Sequence, residues 1–162
     1  MKNIIGNIIN HDSSFIGEIS FEDNIKKITK LESSNISDYI IPGFIDLHCH
    51  GGNGFDTMEG KDSIEKMALY HLNYGTTSLL ATTWTSTFEH TYKALNDFND
   101  LIHSKSNLIG VHLEGPFINP NKLGAQPPLT QQPSKEFINK LLSKTKIKVI
   151  TLAPEIDGMN DF

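Results

Sequence analysis

The chain has no arginine. All 14 of its basic side chains are lysine, against 19 acidic ones, for a formal net charge of −5 over 162 residues. Without a guanidinium fork there is no bidentate clamp for phosphates, and with excess acid no electrostatic footprint for nucleic acid. Cys49 is the single cysteine, which excludes an internal disulfide and suits a reducing compartment. Long apolar runs are also missing: the N-terminal MKNIIGNIINHDSSF breaks its isoleucine pairs with Asn, Gly and His. Neither a signal-peptide core nor a membrane span is expected there. What is present, 38% hydrophobic and 20% charged residues, is the composition of an ordinary globular domain, expected in the cytoplasm.

Lys2–Ile9, Ser14–Phe21 and 24–30 are short isoleucine-rich runs separated by Asn, Asp and Ser, and they predict a small β-structure rather than an irregular arm. From Ile40 the pattern changes to strand and helix in alternation. Strands are expected at 44–48, 76–83, 108–113 and 147–152. Helices are expected at 62–72, with Asp62 and Glu65 as a capping pair, along a face from Phe88 to Ile102 capped by Ser86, and at 134–142 capped by Ser134. Such alternation builds a parallel sheet. No glycine-rich phosphate loop follows the first of these strands, while long loops follow the first and third, at 50–60 and 115–133. That arrangement favours a barrel over an open doubly wound sheet. The expected fold is α/β: about the first four units of a (β/α)8 barrel, residues 41–162, preceded by strands of a small β-sandwich domain, residues 1–40.

Two clusters carry chemistry. His48 and His50 are two apart on a strand, so both imidazoles project from one face while Cys49 points into the packing layer. At a strand's C-terminal end they offer two nitrogen ligands to a metal, or simply hydrogen-bond; spacing alone leaves both open. His112 and Glu114 share a face at the end of the third barrel strand, Glu114 suited to ligate and His112 lying one layer deeper as an interior histidine. His11, His71, His90 and His103 are expected on the surface or in packing, and Trp84 at or over the barrel mouth.

PGFIDLHCHGGNGFDTMEG (42–60), GTTSLLATTWTS (75–86), GVHLEGPFINPNKLGAQPP (110–128) and TLAPE (151–155) together resemble the N-acetylglucosamine-6-phosphate deacetylases of the amidohydrolase superfamily. The resemblance implies a barrel with one or two divalent ions, zinc or iron, and hydrolysis of N-acetylglucosamine 6-phosphate to glucosamine 6-phosphate and acetate. It implies Glu114 as the main metal-ligating carboxylate, with His48 and His50 at a second position, in a homodimer that binds neither nucleic acid nor membrane. Ala125 and Gln126 match the family's substrate-contacting pair; many members carry histidine at the second place, and glutamine cannot carry a proton charge. The family's catalytic aspartate and remaining ligands fall after later strands, so none is expected within these residues and the chain by itself should be inactive. Two alternatives stand beside this reading: an amidohydrolase acting on a cyclic amide, as dihydroorotases and hydantoinases do, and a non-catalytic remnant that folds with a partner.

Overall fold

Alternating isoleucines build the first sheet in a computed structural model that describes residues 1–32, 36–102 and 106–162. Strands β1 (Lys2–Ile9), β2 (Ser14–Phe21) and β3 (Ile25–Lys30) form an antiparallel meander, and β4 (Tyr39–Ile40) pairs in parallel with β1, giving the order β3-β2-β1-β4. Register places Ile4 opposite Ile19 and Ile19 opposite Ile28, so one face carries a cross-strand isoleucine row. With Ile8 and Ile40 that row lines an open apolar groove of about 440 Å³. These strands belong to a compact unit, Met1–Gly43; the second unit runs Phe44–Phe162.

The second unit is the expected strand–helix alternation. Strands β5 (Phe44–Cys49), β8 (Thr76–Thr82), β9 (Leu108–Glu114) and β10 (Ile147–Thr151) make a wholly parallel sheet in the order β10-β9-β8-β5. Between β5 and β8 come a small hairpin, β6 (Gly51–Gly52) with β7 (Phe55–Asp56), and helix α1 (Lys61–Asn73). Helices α2 (Phe88–Leu95) and α3 (Phe98–Ile102) link β8 to β9, and α4 (Lys135–Leu142) links β9 to β10. The four strands form an open sheet, the partial barrel that the alternation predicts.

The core lies between sheet and helices. Ile64, Met67 and Ala68 recur at helical spacing on α1 and are completely buried, as are Leu79 and Ala81 on β8 and Val111 and Leu113 on β9. Apolar runs bury β8 and β9 on both faces. β5 departs from that pattern: Phe44, Ile45 and Leu47 are 56%, 68% and 53% exposed, because β5 is an edge strand with β8 as its one sheet neighbour. Phe117, just after β9, joins the same core, its ring 5.0 Å from Phe162 and 6.2 Å from both Phe88 and Phe137.

Three local expectations change. The N-cap of α1 is Gly60, with no side-chain cap bond; Asp62 sits inside the first turn, where its charge meets the helix dipole without capping. Thr87, not Ser86, caps α2 by accepting the His90 N–H, while Ser86 Oγ meets the His90 ring at 2.9 Å. The apolar face from Phe88 to Ile102 is split into two helices at Asn96 and Asp97, two residues of low helix propensity. Ser134 does cap α4, accepting from the Phe137 N–H at 3.2 Å. His103 lies outside the described residues.

Candidate metal centre

Two strand ends converge on one point. β5 delivers His48, with His50 directly after its last residue, and β9, two strands away, delivers Glu114. Glu114 Oε2 stands 3.0 Å from His50 Nε2 and 3.6 Å from His48 Nε2. Gly115 lets the chain turn at once after the carboxylate: its φ is 71°, and a Cβ there would collide with Thr85 Oγ1. Thr83 fixes the Glu114 backbone, its hydroxyl accepting the Glu114 N–H at 3.1 Å.

The protons around these atoms can be counted. His50 Nδ1 lies 3.2 Å from the Thr82 carbonyl oxygen, which only accepts, so Nδ1 carries the hydrogen and a neutral ring leaves Nε2 as a bare lone pair. That lone pair faces Glu114 Oε2, a buried oxygen with no hydrogen-bond partner among the described residues. The 3.0 Å approach lacks hydrogen-bond geometry, so a proton on Nε2 would not point at the carboxylate. Two acceptors at such range are an arrangement that a cation bound between them would satisfy. Ligand atoms around a tetrahedral zinc, with bonds of about 2.0–2.1 Å, stand roughly 3.3 Å apart, close to the spacing found here. His48, His50 and Glu114 form a group of potential ligand atoms all within 4.8 Å of one another, and the donor set fits a divalent ion.

Around the trio sit residues that the sequence reading did not single out. Thr82 serves β5 twice, its carbonyl taking His50 Nδ1 and its hydroxyl accepting the Cys49 N–H at 2.8 Å. His71, on α1, places Nε2 3.2 Å from the Gly51 carbonyl and 3.3 Å from Cys49 Sγ, bracing the turn after His50 rather than only packing. A threonine at a strand end beside an HxH pair is a weak signal, and a helical histidine reaching a loop carbonyl leaves none. His112 is 6% exposed, as an interior histidine should be, and burial holds its imidazole below the ordinary value.

Cys49 points into the packing layer as expected. Its thiol is pushed up to about 11, chiefly by burial and then by the charge of Asp46. Ellman's reagent should label the native chain at least about 100-fold more slowly than the denatured chain, since attack needs an exposed thiolate. Comparable rates would place the thiol at the surface instead. Ala125 is exposed in the loop after β9, and Gln126 is half-buried, its Oε1 accepting the Thr85 N–H at 2.7 Å. That bond latches the loop to the end of β8 and uses the amide oxygen, leaving the NH2 group as the available donor. Trp84, beside this latch, is 39% exposed.

The model of the amidohydrolase family matches residues 39–161, which include every residue of the trio. The chain belongs to the amidohydrolase family. Among similar amidohydrolases, the N-acetylglucosamine-6-phosphate deacetylase of Lysinibacillus sphaericus is 38% identical over 147 residues, covering 86% of this chain and 38% of its own length. An N-acetylgalactosamine-6-phosphate deacetylase of Escherichia coli is 31% identical over 129 residues, covering 75% and 34%. The crystal structure of N-acetylglucosamine-6-phosphate deacetylase from Thermotoga maritima superposes with a TM-score of 0.83 at 30% identity, over 98% of this chain and 44% of that one. The present chain thus spans about two-fifths of the length of the curated relatives it matches. Among the described residues, no helix is long and apolar enough to cross a membrane.

Proposed function

We propose that the whole protein hydrolyses the acetamido group of N-acetylglucosamine 6-phosphate, releasing glucosamine 6-phosphate and acetate, with His48, His50 and Glu114 contributing to its metal centre. The carrying observation is the Glu114 carboxylate oxygen, buried without a hydrogen-bond partner between two imidazoles. A divalent ion held there supplies Lewis-acid polarisation of the amide carbonyl and acidifies water at neutral pH. The chain's own part is to hold that centre rigid. Thr82 keeps the proton of His50 on Nδ1, so Nε2 is free to ligate, and Thr83 pins the backbone that carries Glu114. Gln126, tied to Thr85, offers its amide NH2 to a substrate oxygen from the loop beside the site, with Ala125 adjacent.

Zinc or iron as the ion, one or two ions per site, a homodimer and a cytoplasmic setting belong to the same reading. Imidazole and carboxylate donors suit zinc and ferrous iron alike, and an unpaired cysteine suits a reducing compartment. The Met1–Gly43 sheet is read as part of a β-sandwich, which its apolar groove supports.

The similarity to an N-acetylgalactosamine-6-phosphate deacetylase favours one second reading, the epimeric amino-sugar phosphate as substrate. Acetate release by the whole protein decides between them. Turnover is expected with N-acetylglucosamine 6-phosphate, lost on chelation and restored by zinc or ferrous iron. Preference for the galactosamine epimer would move the assignment to the second reading, and hydrolysis of hydantoin or dihydroorotate alone would overturn both.

A further inference from the structure

β5 slips its register beside the trio. Asp46 pairs with Leu79 and Cys49 with Ala81, so Leu47 and His48 stand opposite the single residue Leu80. Such a bulge re-aims a side chain and takes backbone groups out of the ladder. Here one backbone group on each of three consecutive residues, 47 to 49, is taken up by a side chain instead. Asp46 Oδ1 accepts the His48 N–H at 3.0 Å, Thr82 Oγ1 accepts the Cys49 N–H, and the Leu47 carbonyl meets His112 Nδ1 at 3.0 Å. The first two partners sit on β5 and on its neighbour β8. His112 is on β9 and reaches across β8 to find its carbonyl.

Chemistry fixes the state of that ring. A carbonyl only accepts, so His112 Nδ1 carries the hydrogen. Its Nε2 then accepts from the Thr151 hydroxyl, 2.7 Å away on β10. The chain Thr151 Oγ–H to Nε2, Nδ1–H to Leu47 carbonyl therefore runs from β10 to the residue before His48. The His48 and His112 rings meet edge to face at 4.9 Å, so His112 touches both the backbone and the side chain of that arm.

We propose that His112 is a positioning residue for the metal site: held in its Nδ1–H tautomer by the Leu47 carbonyl and the Thr151 hydroxyl together, it fixes the β5 bulge from which His48 reaches Glu114. The inference rests on the metal-centre reading above and adds to it a tautomer and a strap that reaches across the sheet. Outer groups that orient metal ligands typically contribute 10–100-fold to metal affinity.

The test uses the whole protein and three variants, Thr151→Val, Thr151→Ser and His112→Gln, with cobalt(II) as the probe ion. In the metal-free protein, long-range proton–nitrogen correlation should show His112 protonated at Nδ1 and bare at Nε2. Thr151→Val keeps shape but removes the hydroxyl; it should weaken cobalt(II) binding 10–100-fold, alter the d–d spectrum and mix the His112 tautomers. Thr151→Ser should restore the spectrum and bind within about threefold of the parent, which loss of packing alone would not allow. His112→Gln should bind as weakly as Thr151→Val. A proton on Nε2, or parental cobalt(II) affinity in Thr151→Val, overturns the proposal while leaving the metal centre standing. Failure of the unsubstituted whole protein to bind cobalt(II) overturns the metal reading and the positioning role with it; the tautomer measurement, made without metal, separates the two cases.

Discussion

Replacing Glu114 by glutamine should abolish metal binding at the trio. The amide has the size of the carboxylate but none of its charge, and at most one oxygen to offer. Two neutral imidazoles would remain to hold a divalent ion, one of them 51% exposed. The expected loss exceeds the roughly 100-fold that an outer-shell partner can cost. The fold should survive, since Thr83 and Gly115 hold the Glu114 backbone through groups that glutamine retains. Metal-free Glu114→Gln should melt no lower than its parent, because the substitution removes a buried, partnerless carboxylate oxygen. Cobalt(II) or zinc titration with a parallel thermal melt checks both halves. Affinity within threefold of the parent would remove Glu114 from the ligand set.

Phe117→Ala should cost about 3–5 kcal/mol, the largest stability effect expected of a single side chain here. Phe117 has no exposed surface and packs against Phe88, Phe137 and Phe162. The β9 loop and α4 would have to close around any space left, yet the backbone there is held, the Phe117 carbonyl accepting the Ala153 N–H at 2.8 Å. Limited collapse leaves a cavity, and cavities are what separate costly truncations from mild ones. The melting temperature should fall by on the order of 10–20 °C. Phe88→Ala, at a half-buried position, should cost visibly less. A loss below about 1 kcal/mol for Phe117→Ala would show that the cluster repacks freely.

Strands were legible wherever burial is symmetrical. The runs at β8 and β9 are apolar on both faces, and periodicity needs no partner information to find them. β5 carries the same apolar signature, yet its faces lie open, since sequence records that a residue is apolar and not which strand lies beside it. Helix faces were legible from Ile64, Met67 and Ala68, but not the break at Asn96, where periodicity continues across a gap in hydrogen bonding. The trio His48, His50 and Glu114 could be listed in advance as candidate ligands because ligand chemistry restricts residue types, and the structure brings the three together. Thr82, Thr151 and His71 could not, because each acts through a backbone group or a distant ring and leaves no pattern in the chain. The bulge at Leu47 is silent for the same reason: register is a property of two strands.

The strap between His112 and Leu47 also bears on how the molecule comes together. It joins residues 65 apart in sequence, whereas β1 and β2 turn on each other between Ile9 and Ser14. Closing a flexible loop costs about 0.6 kcal/mol more for each doubling of its length, repaid only once the distant contacts form. Local hairpins close in microseconds, while sheets assembled from non-local parallel pairings are intrinsically slower. The meander at the N-terminus can therefore order itself well before the trio exists. His48 and Glu114 come into range only when β8 lies between their strands, so the proposed metal site is assembled late. Metal affinity followed during refolding would thus report completion of the parallel sheet rather than collapse of the chain.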